Sequence, residues 1–237
     1  MKKIIAIGAL CLFFTSLSAQ NDIRFGFQLS PAFSWMSTNV NRINRSGTNL
    51  GLKLGMVGEY YFRENYAITS GLGFHFNSGG QLLFENEGTY WSNSDLPGGS
   101  VMLNAGEKLK YSLQFVEIPI GLKLRTREFG YLRYFIHPGF TLGFNTQARG
   151  EVPNNEDEKF DISGDVNALN LAWGIGAGIE YNISENTALV GGLGFQAGFA
   201  DLTRDRGNSY IDRDGNERQD NSRGKANSIV LTIAVMF

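Results

Sequence analysis

Seven charged residues stand at alternate positions inside otherwise apolar segments: Arg24, Lys53, Glu59, Glu117, Lys123, Arg133 and Glu180. On an extended chain a two-residue period keeps side chains on one face, and His75 and His137 fall on that same face. Such groups facing one another across an interior could form a path for protons or ions. They could equally form a static plug of ion pairs. Four basic against three acidic groups is near balance, so the expectation is a structural lumen charge network and no conducting pore. Lipid-modifying chemistry would need a serine or histidine with a base in reach. The two histidines are far apart in sequence, and no serine has a nucleophile-elbow setting. No enzyme and no cofactor are expected.

Three loop segments offer other chemistry. In "DRDGNERQD", Asp212, Asp214 and Asn216 alternate as calcium-loop ligands do. The glycine expected sixth is instead Glu217, and no glutamate stands twelfth. A self-paired surface loop is the expectation there, and no metal site is assigned. Residues 148–165 are rich in acid and read as a solvated loop. The segment 77–108 carries Phe84, Tyr90 and Trp91 beyond the predicted strands. They are candidates for loop contact with a partner, or equally for capping the barrel mouth.

The elements that must hold these residues have a period of two throughout. Eight segments alternate: 23–35, 51–62, 66–76, 116–124, 132–144, 169–181, 189–199 and 229–237. One face of each is apolar and free of charge, as in Phe25, Phe27, Leu29 and Phe33, or Ile229, Leu231, Ile233 and Val235. The other face is rich in Gly, Ala and Ser and carries the seven charges. An eight-stranded barrel has an interior just wide enough for side chains, too narrow for the bulky set. The small set fits inside, and the bulky face must look outward into lipid.

Short connections near 63–66, 126–130 and 182–186 alternate with long ones at about 38–47, 77–108, 148–165 and 201–225. That is the layout of outer-membrane barrels, with short turns periplasmic and long loops outside. In lipid every backbone amide needs a partner, so the sheet must close. The expected fold is all-β: a closed eight-stranded antiparallel up-and-down transmembrane β-barrel with both termini periplasmic. One segment breaks the pattern. The apolar phase runs on Leu109, Tyr111, Leu113 and Phe115, then switches to Val116 and Ile118. A β-bulge would produce this, as would a stretch above the membrane packing on loops, which is the preferred reading.

The bulk figures agree. The opening "MKKIIAIGALCLFFTSLSAQ" has the charged, apolar, small-residue order of a secretory signal. The expected division is 1–19 as a removed signal peptide and 20–237 as the barrel domain. Leu10 before Cys11 argues against lipid attachment, and Cys11 would leave with the signal. Basic residues number 21 and acidic 23; losing Lys2 and Lys3 leaves 19 against 23. No basic patch points to nucleic acid.

The segment "VEIPIGLKLRTREFGYLRYFIHPGFTLGFNTQARG", Val116–Gly150, resembles the PorT-like outer-membrane β-barrel family of the Bacteroidota, as do "LSAQ" and the terminal "IAVMF" ending in Phe237. The resemblance implies an eight-stranded barrel in the Gram-negative outer membrane, and a weaker link to type IX secretion. The functional expectation is a non-enzymatic scaffold or accessory component of the cell envelope. Its partners would be outer-membrane lipid and, through the loops, envelope or secretion-machine proteins. The competing classes are a small solute channel and a lipid-modifying enzyme.

Overall fold

The computed structural model describes residues 23–152 and 155–237. The signal-peptide reading of 1–19 lies outside the described residues. The strands are β1 (Ile23–Thr38), β2 (Ile43–Arg63), β3 (Tyr66–Phe84), β4 (Gly88–Tyr90), β5 (Val101–Leu103), β6 (Lys108–Arg125), β7 (Leu132–Val152), β8 (Asn155–Asp161), β9 (Leu169–Asn182), β10 (Ala188–Gly198), β11 (Ser209–Ile211), β12 (Glu217–Gln219) and β13 (Gly224–Met236). No helix among the described residues is long and apolar enough to cross a membrane.

Eight strands close a ring in the order β1, β2, β3, β6, β7, β9, β10, β13, all antiparallel, and β13 returns to β1. The seam pairs Phe27 with Val235 and Ala32 with Val230. It is finished by Phe25 and Phe237, which exchange backbone hydrogen bonds at 3.1 and 2.7 Å. Among the described residues the ring has no free edge strand, the condition for a sheet in hydrocarbon; at the seam's break near Pro31 the Ile233 amide donates to the Ser30 hydroxyl at 3.3 Å. Alternation sets the two faces. Phe27, Leu50, Phe140 and Leu193 point away from the interior and are exposed. Inward positions carry small residues, as in the run Gly174, Gly176, Gly178 along β9 facing Gly192 and Gly194 of β10. Bulk therefore lies outside and backbone lies close to the axis, because an eight-stranded cylinder has little internal volume.

The strands rise further than the sequence pattern predicts. The first long connection, expected at 38–47, shrinks to 39–42, and β3 and β6 extend until the second is reduced to 85–107. Strand β7 continues to Val152 and folds back as β8. Above the apolar band, polar residues suit the outer face while backbone pairing continues, so the ladder does not stop where hydrophobic alternation stops. The second and fourth long loops meet in a separate four-stranded sheet of order β12-β11-β4-β5.

Strand β6 explains the break in phase at Phe115. It runs unbroken, and Leu109, Tyr111, Leu113 and Phe115 point inward, as Glu117 and Lys123 do below them. The irregularities sit on its neighbours. On β7, Gln114 pairs Gln147 and Phe115 pairs Asn145, so Thr146 is an extra residue. On β3, Phe76 and Asn77 stand opposite Gln114 alone, with Asn77 at φ 54°. These bulges keep Ser78, Leu82 and Phe84 of β3 and Ala148 of β7 inside. The inward side of β6 never changes; its chemistry changes from polar to apolar as it leaves the membrane.

Candidate functional site

The interior has two storeys. The upper one, at the long-loop end, is an apolar core built from Met36, Ile43, Leu82, Leu109, Leu113, Phe115, Ile162, Leu202 and the second-loop aromatics. Phe84, Tyr90 and Trp91, read from the sequence as candidate contact residues, are at most 2% exposed. Their rings cap the mouth. Phe84 and Tyr90 lie 4.3 Å apart between centroids, and Trp91 meets Tyr111 edge-on while its Nε1 donates to the Tyr111 hydroxyl at 3.0 Å. These side chains are therefore not a free surface. The reason is local: the loop folds back over the extended barrel and finds an apolar interior to fill.

Polar ties hold the cap. Arg42 of the first loop forms an ion pair with Asp220 of the fourth and lies 4.0 Å over the Tyr210 ring. Asp165 of the third loop accepts from the backbone and side chain of Asn93 at 3.1 and 2.9 Å and from the Ser94 hydroxyl at 2.5 Å. Burial, then the neighbouring Asp220 and Asp201, push the Asp205 carboxyl up to about 7. In the 212–217 segment, Asp212 Oδ1 accepts from the backbone of Asp214 and Asn216, both at 2.9 Å, and Oδ2 binds Arg218 Nε at 2.5 Å. That carboxylate is committed to its own hairpin. Among the described residues no cluster of three or more metal-ligating side chains is present.

The lower storey holds the charges in two groups. Nearer the cap, Lys53 Nζ donates to Glu117 at 2.7 Å and to Gln196 at 2.6 Å. His75 Nδ1 bonds the other Glu117 oxygen at 3.1 Å. Gln196 in turn donates to Thr141 at 3.1 Å and accepts from Ser228 at 3.3 Å. Toward the short-turn end, Lys123 joins Glu59 at 2.6 Å and also pairs with Glu180. The Tyr61 hydroxyl donates to Glu59 at 2.6 Å. Arg24 and Arg125 approach Glu180 at 3.6 and 3.7 Å. Glu180 is fully buried; three cations converge on it because a buried charge needs compensation.

Six of the seven predicted charges thus meet in the lumen. Arg133 stands apart: it lies at the mouth of the short-turn end, paired at 2.7 Å with Glu128 of the adjoining turn. Its place in the buried network is taken by Arg125, whose guanidinium stacks 3.8 Å over the Tyr61 ring. Position 125 is in phase with Glu117 and Lys123, so a strand read one residue longer would have included it. Between the groups is a cavity of about 180 Å³, bordered by Lys53, Glu59, Glu117, Lys123 and the hydrogen-bonded pair Thr69 and His137, 2.7 Å apart. The apolar core lies above it and the Lys123 ion pairs below, so charges that look like a relay in sequence are committed to one another in two separate groups.

No curated protein matches the sequence. Among solved structures the chain is similar to the Neisserial surface protein A, at 8% identity and TM-score 0.46, covering 90% of this chain and 95% of that one. It is also similar to a major outer membrane protein of Thermus thermophilus, at 16% identity and TM-score 0.45, covering 91% of this chain and 99% of that one. With a closed eight-stranded ring, an apolar outer face and a match over residues 18–204, the chain belongs to the family described as outer membrane protein beta-barrel domain, and its place is the outer membrane.

Proposed function

We propose that this outer-membrane barrel is a non-enzymatic, non-conducting scaffold of the cell envelope that presents its extracellular cap to a partner. The observation that carries this reading is a lumen filled by ion pairs beneath an apolar core. Two ion-pair groups and an apolar core block the axis, which disfavours the solute-channel alternative. His75 and His137 are both enclosed with structural partners, which disfavours a lipid-modifying enzyme. The cap is tied together by four loops, so it offers a partner a preformed surface. Because Phe84, Tyr90 and Trp91 are interior, contact falls to outward residues such as Met102, 83% exposed, and the exposed strand Glu217–Gln219. The likeness of Val116–Gly150 to PorT-like barrels makes a type IX secretion assembly the partner class to examine first. Photo-crosslinkers placed at Met102 and Arg218 in living cells should capture a defined envelope protein, whereas one at Ser184 in a short turn should not. Failure at both cap positions, together with lipid turnover abolished by His137→Ala, would replace the scaffold with an enzyme.

A further inference from the structure

The short-turn end of the barrel opens into a basin of about 450 Å³ whose walls carry Arg24, Arg125 and Arg133. Glu180 is buried behind Arg24 and Arg125, and Lys123 pairs with that carboxylate from the lumen side. Arg24 and Arg125 reach Glu180 only at 3.6 and 3.7 Å, beyond hydrogen-bond distance. Among the described residues Arg24 makes no side-chain hydrogen bond. Arg125 uses Nε and Nη2 on the Glu64 carbonyl and leaves Nη1 facing Glu180. Arg133 gives one nitrogen to Glu128, and its Nε is buried with no partner. Two carboxylates line the basin itself: Glu128, taken by Arg133, and Glu185, exposed on the neighbouring turn. Three guanidinium groups therefore converge with donors to spare.

The rim is equally informative. Phe129, Tyr131 and Ile183 project from the short turns with more than half of each exposed, and Tyr131 packs against Tyr181 at 6.2 Å between centroids. Aromatic side chains of this kind lie at headgroup depth in a bilayer. A planar guanidinium fork matches the oxygens of a phosphate group, which charge-assisted, bidentate hydrogen bonds favour over chloride.

From this we infer that the basin is a binding site for a phosphate-class oxyanion, supplied by the headgroup of an anionic phospholipid of the inner leaflet or by a soluble phosphate of the periplasm. The site is independent of the extracellular cap and of its proposed partner. It would fasten the periplasmic rim to its surroundings through Arg24, Arg125 and Arg133.

Two measurements test it on the folded protein in a phosphate-free maltoside detergent. Inorganic phosphate is titrated against chloride while the arginine Nε–H resonances are followed by NMR, and native mass spectrometry scores retention of phosphatidylglycerol against diacylglycerol. The expected result is saturable, phosphate-selective movement of the arginine signals, or selective retention of phosphatidylglycerol, weakened at least about tenfold by Arg133→Gln. Arg213→Gln, in the extracellular hairpin, should bind as wild type does. Inorganic phosphate acting alone identifies a soluble ligand; phosphatidylglycerol acting alone identifies the headgroup. Arginine signals of the wild type that stay fixed, with no preference for phosphatidylglycerol, overturn the inference. So does binding unchanged in both Arg133→Gln and Arg24→Gln while each still shows the heat-modifiable mobility of a folded barrel.

Discussion

Lys53 and Glu117 are buried and are each other's charged partner in the upper group of the lumen. Lys53→Met should lower stability by about 3–5 kcal/mol, because it leaves the buried Glu117 carboxylate without its lysine, with His75 as the remaining partner. Adding Glu117→Gln should recover most of that loss; urea unfolding from lipid vesicles in a double-mutant cycle reads the coupling. Leu122 and Lys123 are adjacent and face opposite media. Leu122→Lys places a charge in hydrocarbon and should cost about 2–4 kcal/mol near the midplane, seen as loss of folded protein in insertion assays. Asp205, in the cap, makes a pH prediction. Its carboxyl is raised to about 7, against an ordinary value near 4, by burial and by Asp220 and Asp201. The folded state therefore holds a proton that the unfolded chain has released between those values, and cap stability should fall as pH rises from about 4 to about 7 and then level off. Asp205→Asn should flatten that dependence in hydrogen exchange of the cap amides between about pH 4 and 7.5. At this scale the sequence revealed which charges share a face, since alternation alone places Lys53, Glu117, Lys123 and Glu180. It did not show which pairs meet, because register around a ring is set by turns and bulges that leave no charge signature. Arg133 keeps the inward phase, opposite Glu180 in register, but at the strand end it pairs with Glu128 of the adjoining turn.

Strand β6 bears out the reading of Leu109–Phe115 as a stretch above the membrane that packs on loops, within a strand longer than its alternating part. Its lower half alternates apolar-out, its upper half apolar-in, and the chain never changes side. Sequence pattern reports which face is apolar, not which is interior, and in a membrane barrel those differ. Above the bilayer the rule reverts to that of a soluble protein, with the extra Thr146 on β7 keeping its neighbour in step. The cap depends on the same reversion. Gly150 lies directly beneath the Trp91 indole, so that a Cβ there would overlap the ring. Gly150→Val should expel Trp91, at a cost of about 1–3 kcal/mol for overpacking. The observables are a red-shifted tryptophan emission and protease cleavage within 85–107. The transmembrane part should keep its heat-modifiable mobility, since the clash lies above the apolar band.

The whole molecule follows from one geometric constraint: eight strands make a cylinder too narrow for the large apolar side chains its sequence carries. Those residues face outward, where water would penalise a continuous apolar band of this size and hydrocarbon does not. The inside fills with glycine, small residues and paired charge, and the extended walls enclose a second core that seals the outer mouth. Fold class and membrane were legible from alternation, because both depend on which positions are bulky. The cap was not, since its aromatics lie in a segment with no periodicity and their burial depends on strands extending past the last alternating residue. The most direct test is planar-bilayer recording of the purified, refolded wild-type protein. The account predicts a quiet baseline at applied voltages up to those the bilayer tolerates, even when the Lys53–Glu117 and Lys123–Glu180 pairs are removed together, because the apolar core above them remains. Sustained ionic steps from the unaltered barrel would contradict it.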